Sequence, residues 1–566
     1  MASFFDRLGP LIGCGVLLLG CSQSTQLPQD SNLAESDPSE VVNSTAGEAE
    51  SDTLPAFEPA QPVFPRLTAL QYANSVRDIF GVSLSEIPLE ADTNPYLFYS
   101  IGATTTEVSE NGVELYAQAA YTLTDFLFAA ERREALLGCT PARPDDACVR
   151  DFIREIGRRI YRRNLSGDEL ARWLEVAVDL GVENPWNGAA MALTGMLQSP
   201  HFLYRIELGE LDPESPEQKR YSSIEMASRL SFLLWNSTPD AALIDAAHRG
   251  DLVDPTKLSN QARRLLADPR SRVAIQDFFS QYLDLGRLDE VERDPALYPG
   301  YTADLPQAME TEVRLLVDDI IFRNQGDIRG LFTEPRGYVN RALAELYGVA
   351  APGASEVAFV PVNFPAESKR AGILTLGAFL TMNAHPTETS PTLRGKYIRE
   401  RVLCQAVPAP PDDIDLNLES EPGAEPATLR ERLEEHRNNP SCYGCHAYID
   451  PPGFLFENFN SVGVFRTEEN GHPIDASGDL DGIPLHDATD LAVQLAHDPR
   501  LSACMVKQLF RHATGRLETP KEAASLASIG ENFATNHYRF DALLLELVQS
   551  DGFRRVAQID SSEVVR

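Results

Sequence analysis

A chain of 566 residues is more than one hydrophobic core usually serves, so three or four packed modules are expected. With 84 acidic residues against 49 Lys and Arg, the formal charge is −35. Such a surface repels phosphate backbones and argues against nucleic acid as a partner; it suits a soluble acidic face or one that docks a basic partner.

The first residues read as an export signal. Arg7 precedes an apolar run from Leu8 to Leu19, too short for a permanent membrane span but suited to the core of a signal peptide. The run ends in Leu18-Leu19-Gly20-Cys21, which resembles the lipobox of bacterial lipoproteins. That resemblance implies removal of residues 1–20 and lipidation of Cys21. Ser22 stands where an inner-membrane retention Asp would sit, which favours the periplasmic side of the outer membrane, or the cell surface. Asp6 beside Arg7 departs from the usual cationic start. The stretch from 22 to 65 holds eight Asp or Glu and no Lys or Arg. It cannot bury enough apolar surface to offset its ordering entropy, so a disordered acidic tether is expected over 21–62. No later apolar run is long enough to span a bilayer, so the partner membrane is met through the lipid alone.

Helical signals follow in chain order. Thr68 opens a periodic stretch (Leu70, Ala73, Val76, Phe80) closed by Gly81. Residues 148–180 carry a helical pattern with a basic face, RRIYRR, before Leu165. The run AAMALTGMLQSPHFLYRIE near 188–207 reads as one buried helix. Ser222 and Glu225 form a capping box. Thr238-Pro239 and Asp254-Pro255 look like helix starts with proline at the first position. The pattern continues through 260–285 and 305–322. Composition shifts at 351–366 and at 407–427 suggest linkers. Asn470-Gly471 is a hairpin turn signal, and two helices close the chain, through Met505–His512 and near 540–550. The expected fold is mainly α, a multi-module helical protein with a small β element near the C-terminal CxxCH module. The modules are placed at 63–130, 131–210, 215–350, 367–485 and 486–560.

Eight cysteines carry the chemical signal. Cys14 leaves with the signal and Cys21 takes lipid. Cys139 and Cys148 bracket a loop they could close, and Cys404 and Cys504 are left to pair across helical segments; in an oxidising compartment pairing is the default. Cys442-Tyr-Gly-Cys445-His446 is the attachment signature of c-type haem: two thiols in one turn bond the macrocycle and the adjacent imidazole binds iron. Pro451-Pro452-Gly453 follows, a nearby backbone carbonyl is expected to hold the other ring nitrogen of His446, and Phe454, Phe456 and Phe459 to wall the macrocycle or to pack in the core. A redox or structural disulfide between Cys442 and Cys445 stays open, as does zinc held with His436 and His446. The acidic loop DASGDLDG at 475–482 reads as a calcium loop or a hairpin. No nucleophile elbow, HExxH helix or phosphate-binding glycine loop stands out.

The blocks RLTALQYANSVRDIFG, CVRDFIREIGRRIYRRNL, SPHFLYRIELGE, MASRLSFLLWNSTPD, AHPTETSPTLRGKYIRERVLCQ, HRNNPSCYGCHAYIDPPGFLFENFNSVGVFRT and CMVKQLFRHATGR together resemble the family of consecutive domains of unknown function 1587, 1595, 1592, 1588 and 1585, abundant in planctomycetes and myxobacteria. The resemblance covers about 63–558. It implies an exported helical protein with a haem-type motif at Cys442, Cys445 and His446. The second axial ligand is sought among Met382, His385, Met505 and His436, and His385 is favoured because its block is one that matches the family. The expected function is a lipid-anchored c-type haem protein, an electron carrier or the haem subunit of an oxidoreductase, with covalent haem as cofactor and a redox protein as partner. The rival is a non-enzymatic surface lipoprotein, a binding or scaffold module.

Overall fold

The first helix forms where its caps demand. Thr68 Oγ1 accepts from the Gln71 N–H at 3.2 Å while Gln71 Oε1 accepts from the Thr68 N–H at 3.3 Å. The helix Ala69–Phe80 then stops at Gly81, whose φ of 72° is open to glycine at no steric cost. The computed structural model describes residues 54–83, 88–323, 326–408, 428–437 and 440–558. Cys21, its lipobox and the tether up to residue 53 lie outside the described residues, as does most of the 407–427 stretch. The last part of the expected tether is ordered. The Ala557 N–H donates to the Ala60 carbonyl at 2.8 Å and the Arg205 N–H to that of Pro65 at 2.9 Å. Lys521 pairs with Glu58. Backbone groups of the body thus pin an extended segment that composition alone reads as loose.

The architecture is mainly α with small sheets, as expected. The 148–180 pattern is two helices, Ala147–Ile160 and Gly167–Leu180. Between them Arg162 takes a left-handed φ of 59°. The run near 188–207 also divides, into Pro185–Leu197 and Pro200–Leu203. Pro200 has no N–H to continue the first helix, and Ser199 caps the second by accepting from His201 N–H. Ser222 caps Ser223–Trp235 and Asp254 caps Pro255–Leu266 as expected. The start expected at Thr238-Pro239 falls two residues later: the Asp240 carboxylate accepts from Leu243 N–H at 2.8 Å, and the helix is Ala241–His248. A carboxylate at the cap outweighs the proline signal.

The segment at 351–366 is no linker. Val360–Asn363 pairs antiparallel with Arg336–Val339, and Val362 and Phe364 face the core. A three-stranded sheet joins Glu210–Asp212, Ser215–Arg220 and, from the far end of the chain, Arg555–Val556. Asn470-Gly471 turns a hairpin with φ of 51° and 83°, and Asp481-Gly482 turns a second with φ of 55° and 80°. The late β element is therefore two short hairpins.

Two apolar clusters dominate. One runs from Leu67 to Leu203 and takes in Phe232. The larger holds Phe98 and Ile101 and then residues from Tyr221 to Val556, so buried contact is continuous across the central, CxxCH-bearing and C-terminal segments. Among the described residues no helix is long and apolar enough to cross a membrane.

Candidate functional site

The CxxCH motif lies in the first turns of the helix Pro440–Phe454. Proline at its start costs nothing, but Pro451 and Pro452 sit inside it, and each removes an N–H from the ladder. The carbonyl that Pro452 would otherwise leave idle is that of Tyr448. It accepts from Arg399 Nε at 3.2 Å, and the same guanidinium stacks 4.0 Å over the Tyr448 ring. Arg399, 2% exposed, also binds Asp481 at 2.7 Å, which ties the helix to the second hairpin.

A second short helix, Pro391–Tyr397, crosses the first with almost no side chain between them. A Cβ on Gly395 would fall 1.7 Å from the Ile449 carbonyl oxygen, and one on Gly453 would fall 1.8 Å from that of Pro391. Glycine at both positions is what permits this approach. It brings Thr392 Oγ1 to 2.9 Å from Asp450 Oδ1. The other oxygen of Asp450, a fully buried residue, lies 2.9 Å from His446 Nδ1. Past the helix, the buried Arg394 gathers the loop: it donates to the carbonyls of Phe456, Phe459 and Asn460 and pairs with Glu457 at 3.2 Å. Burial draws Arg394 down to about 10 and pushes Glu457 up, against the pull of Arg394 and Arg466.

The expected backbone carbonyl behind His446 is thus a carboxylate. Asp450 lies one helical turn past His446, and that i,i+4 spacing was the available signal. A carboxylate behind a ligating imidazole fixes its tautomer and orientation and raises its basicity more than a carbonyl does.

Cys442 and Cys445 are unpaired; Cys442 is buried and Cys445 half-buried. Between them Gly444 faces open space, for a Cβ there would meet nothing within 4 Å, and Tyr443 is exposed. The other four cysteines of the body pair as expected, Cys139 with Cys148 and Cys404 with Cys504. The second bridge fixes the segment after Val402 to the helix Pro499–Thr514. The three phenylalanines are spent on packing. Phe454 sits beneath Arg430, whose guanidinium is 4.1 Å from the ring, with Leu429 and Leu433. Phe456 meets Phe379 at 5.2 Å and Phe459 meets Phe465 at 5.8 Å between centroids.

The candidate axial residues are dispersed. Met382 is buried in a small cavity with Leu283, Phe379 and Tyr397. Met505 is fully buried in the larger cluster. His385 is exposed at the tip of the Ala384–Thr389 hairpin, its N–H donating to the Glu388 carbonyl at 2.9 Å. The side chain of His436 lies outside the described residues. The loop at 475–482 is a hairpin whose acids meet arginines: Asp481 pairs with Arg399 and Arg500, and Asp475 with Arg430. Among the described residues no group of three or more His, Cys, Asp or Glu is arranged to hold a metal ion.

A helical body of this kind, built around a CxxCH helix, matches five consecutive family models, each described as a protein of unknown function. They are DUF1587 at 66–129, DUF1595 at 148–207, DUF1592 at 221–349, DUF1588 at 370–469 and DUF1585 at 481–553. The chain belongs to the family that these companion domains define. No curated protein and no solved structure is significantly similar to it.

Proposed function

We propose that the chain is an exported, lipid-anchored c-type haem protein that carries electrons, alone or as the haem subunit of an extracytoplasmic oxidoreductase. One observation carries the reading. In a chain whose other body cysteines are bridged, two free thiols share a helical turn with an imidazole oriented by the buried Asp450. The residues fit the group. The turn faces open space at Gly444, Cys442 and Cys445 would hold a haem through thioethers, and His446 would present Nε2 to the iron while Nδ1 stays on Asp450. Bound haem supplies reversible one-electron chemistry. In this reading Asp450, Thr392 and the glycine crossing hold the imidazole still, His385 would be the second residue to hold the iron, and Cys21 would carry the anchoring lipid.

The test is an intact mass and a denatured absorption spectrum of the protein made in a host with haem-maturation machinery. A mass increment of one haem and a Soret band that survive denaturation are expected, both lost when Cys442 and Cys445 become alanine. A colourless protein of unmodified mass refutes the haem, and a Cys442–Cys445 bridge in its peptide map would support the scaffold reading. A low-spin ferric spectrum lost in His385→Ala checks the axial assignment. Failure of Cys21→Ala to leave the membrane fraction would refute the anchor.

A further inference from the structure

Two sequence blocks that play no part in the haem reading, RRIYRR (158–163) and SPHFLYRIE (199–207), meet at one place. The left-handed backbone of Arg162, uncommon for a residue with a side chain, follows the end of the helix Ala147–Ile160. Its guanidinium donates to the carbonyls of His201 at 2.8 Å, Tyr204 at 2.7 Å and Phe202 at 3.2 Å. Arg205 comes from the second block. The two guanidinium carbons lie 5.7 and 5.6 Å from the centroid of the same ring, Phe232. Arg162 is 4% exposed and Arg205 6%.

The charges around them do not balance. Among the described residues Arg162 has no carboxylate within ion-pair distance, and Arg205 has only Glu207, its Nε 3.6 Å from Oε1. The other oxygen of Glu207 is already engaged by the buried Arg229 at 2.6 Å. The Arg205 guanidinium donates no hydrogen bond to a described residue, and its Nε is buried without a hydrogen-bond partner. The nearby acids are committed elsewhere. Glu169 grips Arg163 through both oxygens at 2.7 Å, and Glu225 accepts the N–H groups of Ser222, Leu208 and Gly209. Three buried guanidiniums therefore share one buried carboxylate. An uncompensated buried charge is among the costliest features a fold can keep. Burial and the neighbouring Arg205 draw Arg162 down to about 9, so it stays cationic at neutral pH.

Arg162, Arg163 and Arg205 line one open cavity of about 60 Å³, with His201, Ser228 and the already engaged carboxylates of Glu207 and Glu225 on its wall. That is far below the ~300 Å³ of pockets that enclose a whole small molecule, and so suits a head group. We propose that this cavity binds the phosphoryl group of inorganic phosphate or of a small phosphate monoester. Four guanidiniums, Arg162, Arg163, Arg205 and Arg229, face three carboxylates, Glu169, Glu207 and Glu225, and the excess of one positive charge favours an anion. A guanidinium presents two parallel N–H donors to adjacent oxygens of a tetrahedral anion, which an ammonium does not. The phosphate supplies acceptors to the Nη groups of Arg205, which donate no hydrogen bond to a described residue. The site lies on the segments that match DUF1595 and the start of DUF1592, and it stands whether or not haem is attached at Cys442 and Cys445.

The test uses the full-length chain in detergent. Inorganic phosphate, glycerol 3-phosphate and acetate are titrated separately at constant ionic strength, with binding read by calorimetry and by the thermal midpoint. Saturable phosphate binding and a rising midpoint are expected in the wild type. Arg205→Met should weaken binding at least tenfold yet leave the ligand-free midpoint unchanged or higher, because it removes a buried charge in excess and leaves Glu207 paired with Arg229. Arg205→Lys, which keeps the charge and loses the fork, should weaken binding less, and it serves if the methionine variant fails to fold. Tighter binding of glycerol 3-phosphate assigns a monoester, and equal or weaker binding assigns free phosphate. Three results overturn the proposal: no saturable phosphate binding by the wild type, the same affinity in every Arg205 variant, or acetate binding as tightly as phosphate.

Discussion

Alanine at Gly395 and alanine at Gly444 should move stability in opposite directions, although both replace a helical glycine beside the same motif. Taken alone, the change favours the helix by about 0.5–1 kcal/mol, since alanine loses less backbone freedom than glycine on folding. At Gly444 nothing opposes it, because a Cβ meets no atom within 4 Å; a gain of roughly that size is expected. At Gly395 the Cβ would fall 1.7 Å from the Ile449 carbonyl oxygen. Backbone, not a flexible side chain, must then retreat by roughly 1.5 Å, and overpacking of this kind costs about 1–3 kcal/mol. Backbone on both sides puts the cost at the upper end, so a net loss of about 2 kcal/mol is expected. Chemical denaturation followed by far-ultraviolet circular dichroism, with the disulfides intact, measures both. A Gly395→Ala midpoint at or above wild type would refute the close crossing, and with it the account of how Thr392 is brought to Asp450.

The two disulfides should stabilise unequally. On the chain-entropy model the Cys139–Cys148 bridge, with a sequence separation of 9, contributes ~2–3 kcal/mol, and Cys404–Cys504, with a separation of 100, contributes ~4.7 kcal/mol; paired serine variants that lose stability in the reverse order would contradict this. Glu312 supplies a pH test. It is fully buried, with Tyr347 donating to its Oε2 at 2.6 Å and the Arg370 charge pulling the other way, and burial pushes it from 4.5 up to about 8. Between those values the folded chain holds a proton that the unfolded chain releases, so this group makes stability fall as pH rises, by up to ~1.4 kcal/mol per pH unit. Glu312→Gln should therefore gain on wild type between about pH 5 and pH 7.5; a difference independent of pH would refute the buried proton.

What was legible in the sequence was local. Thr68 ahead of Leu70, Ser222 with Glu225, Asp254 with Pro255 and Asn470 with Gly471 each fix a boundary through groups a few residues apart, and each boundary stands where those residues place it. The cysteines were legible for another reason: with Cys14 and Cys21 set aside by the expected signal and lipobox and two more by the CxxC, the remaining four leave few pairings. Where two local signals competed, the reading slipped, as when Asp240 displaced Thr238 as the cap. Long-range pairing was not legible. Val360–Asn363 becomes a strand only because Arg336–Val339 lies beside it, and residues 54–65 are pinned by contacts with residues near 205 and 557. Aromatic content alone cannot separate a haem wall from a core, and Phe379 and Phe465 decide that for Phe456 and Phe459. The arginines make the sharpest case. In sequence RRIYRR is an ordinary basic helix face, for which solvent is the default destination. It becomes a buried excess of charge only when the chain turns at Arg162 and brings Arg205, about forty residues on, against the same ring. A sequence reports how many charges a protein carries, but whether each is balanced depends on contacts that folding alone creates. That is why the CxxCH motif could be found by its spacing, while the cavity between Arg162 and Arg205 could be found only from the structure.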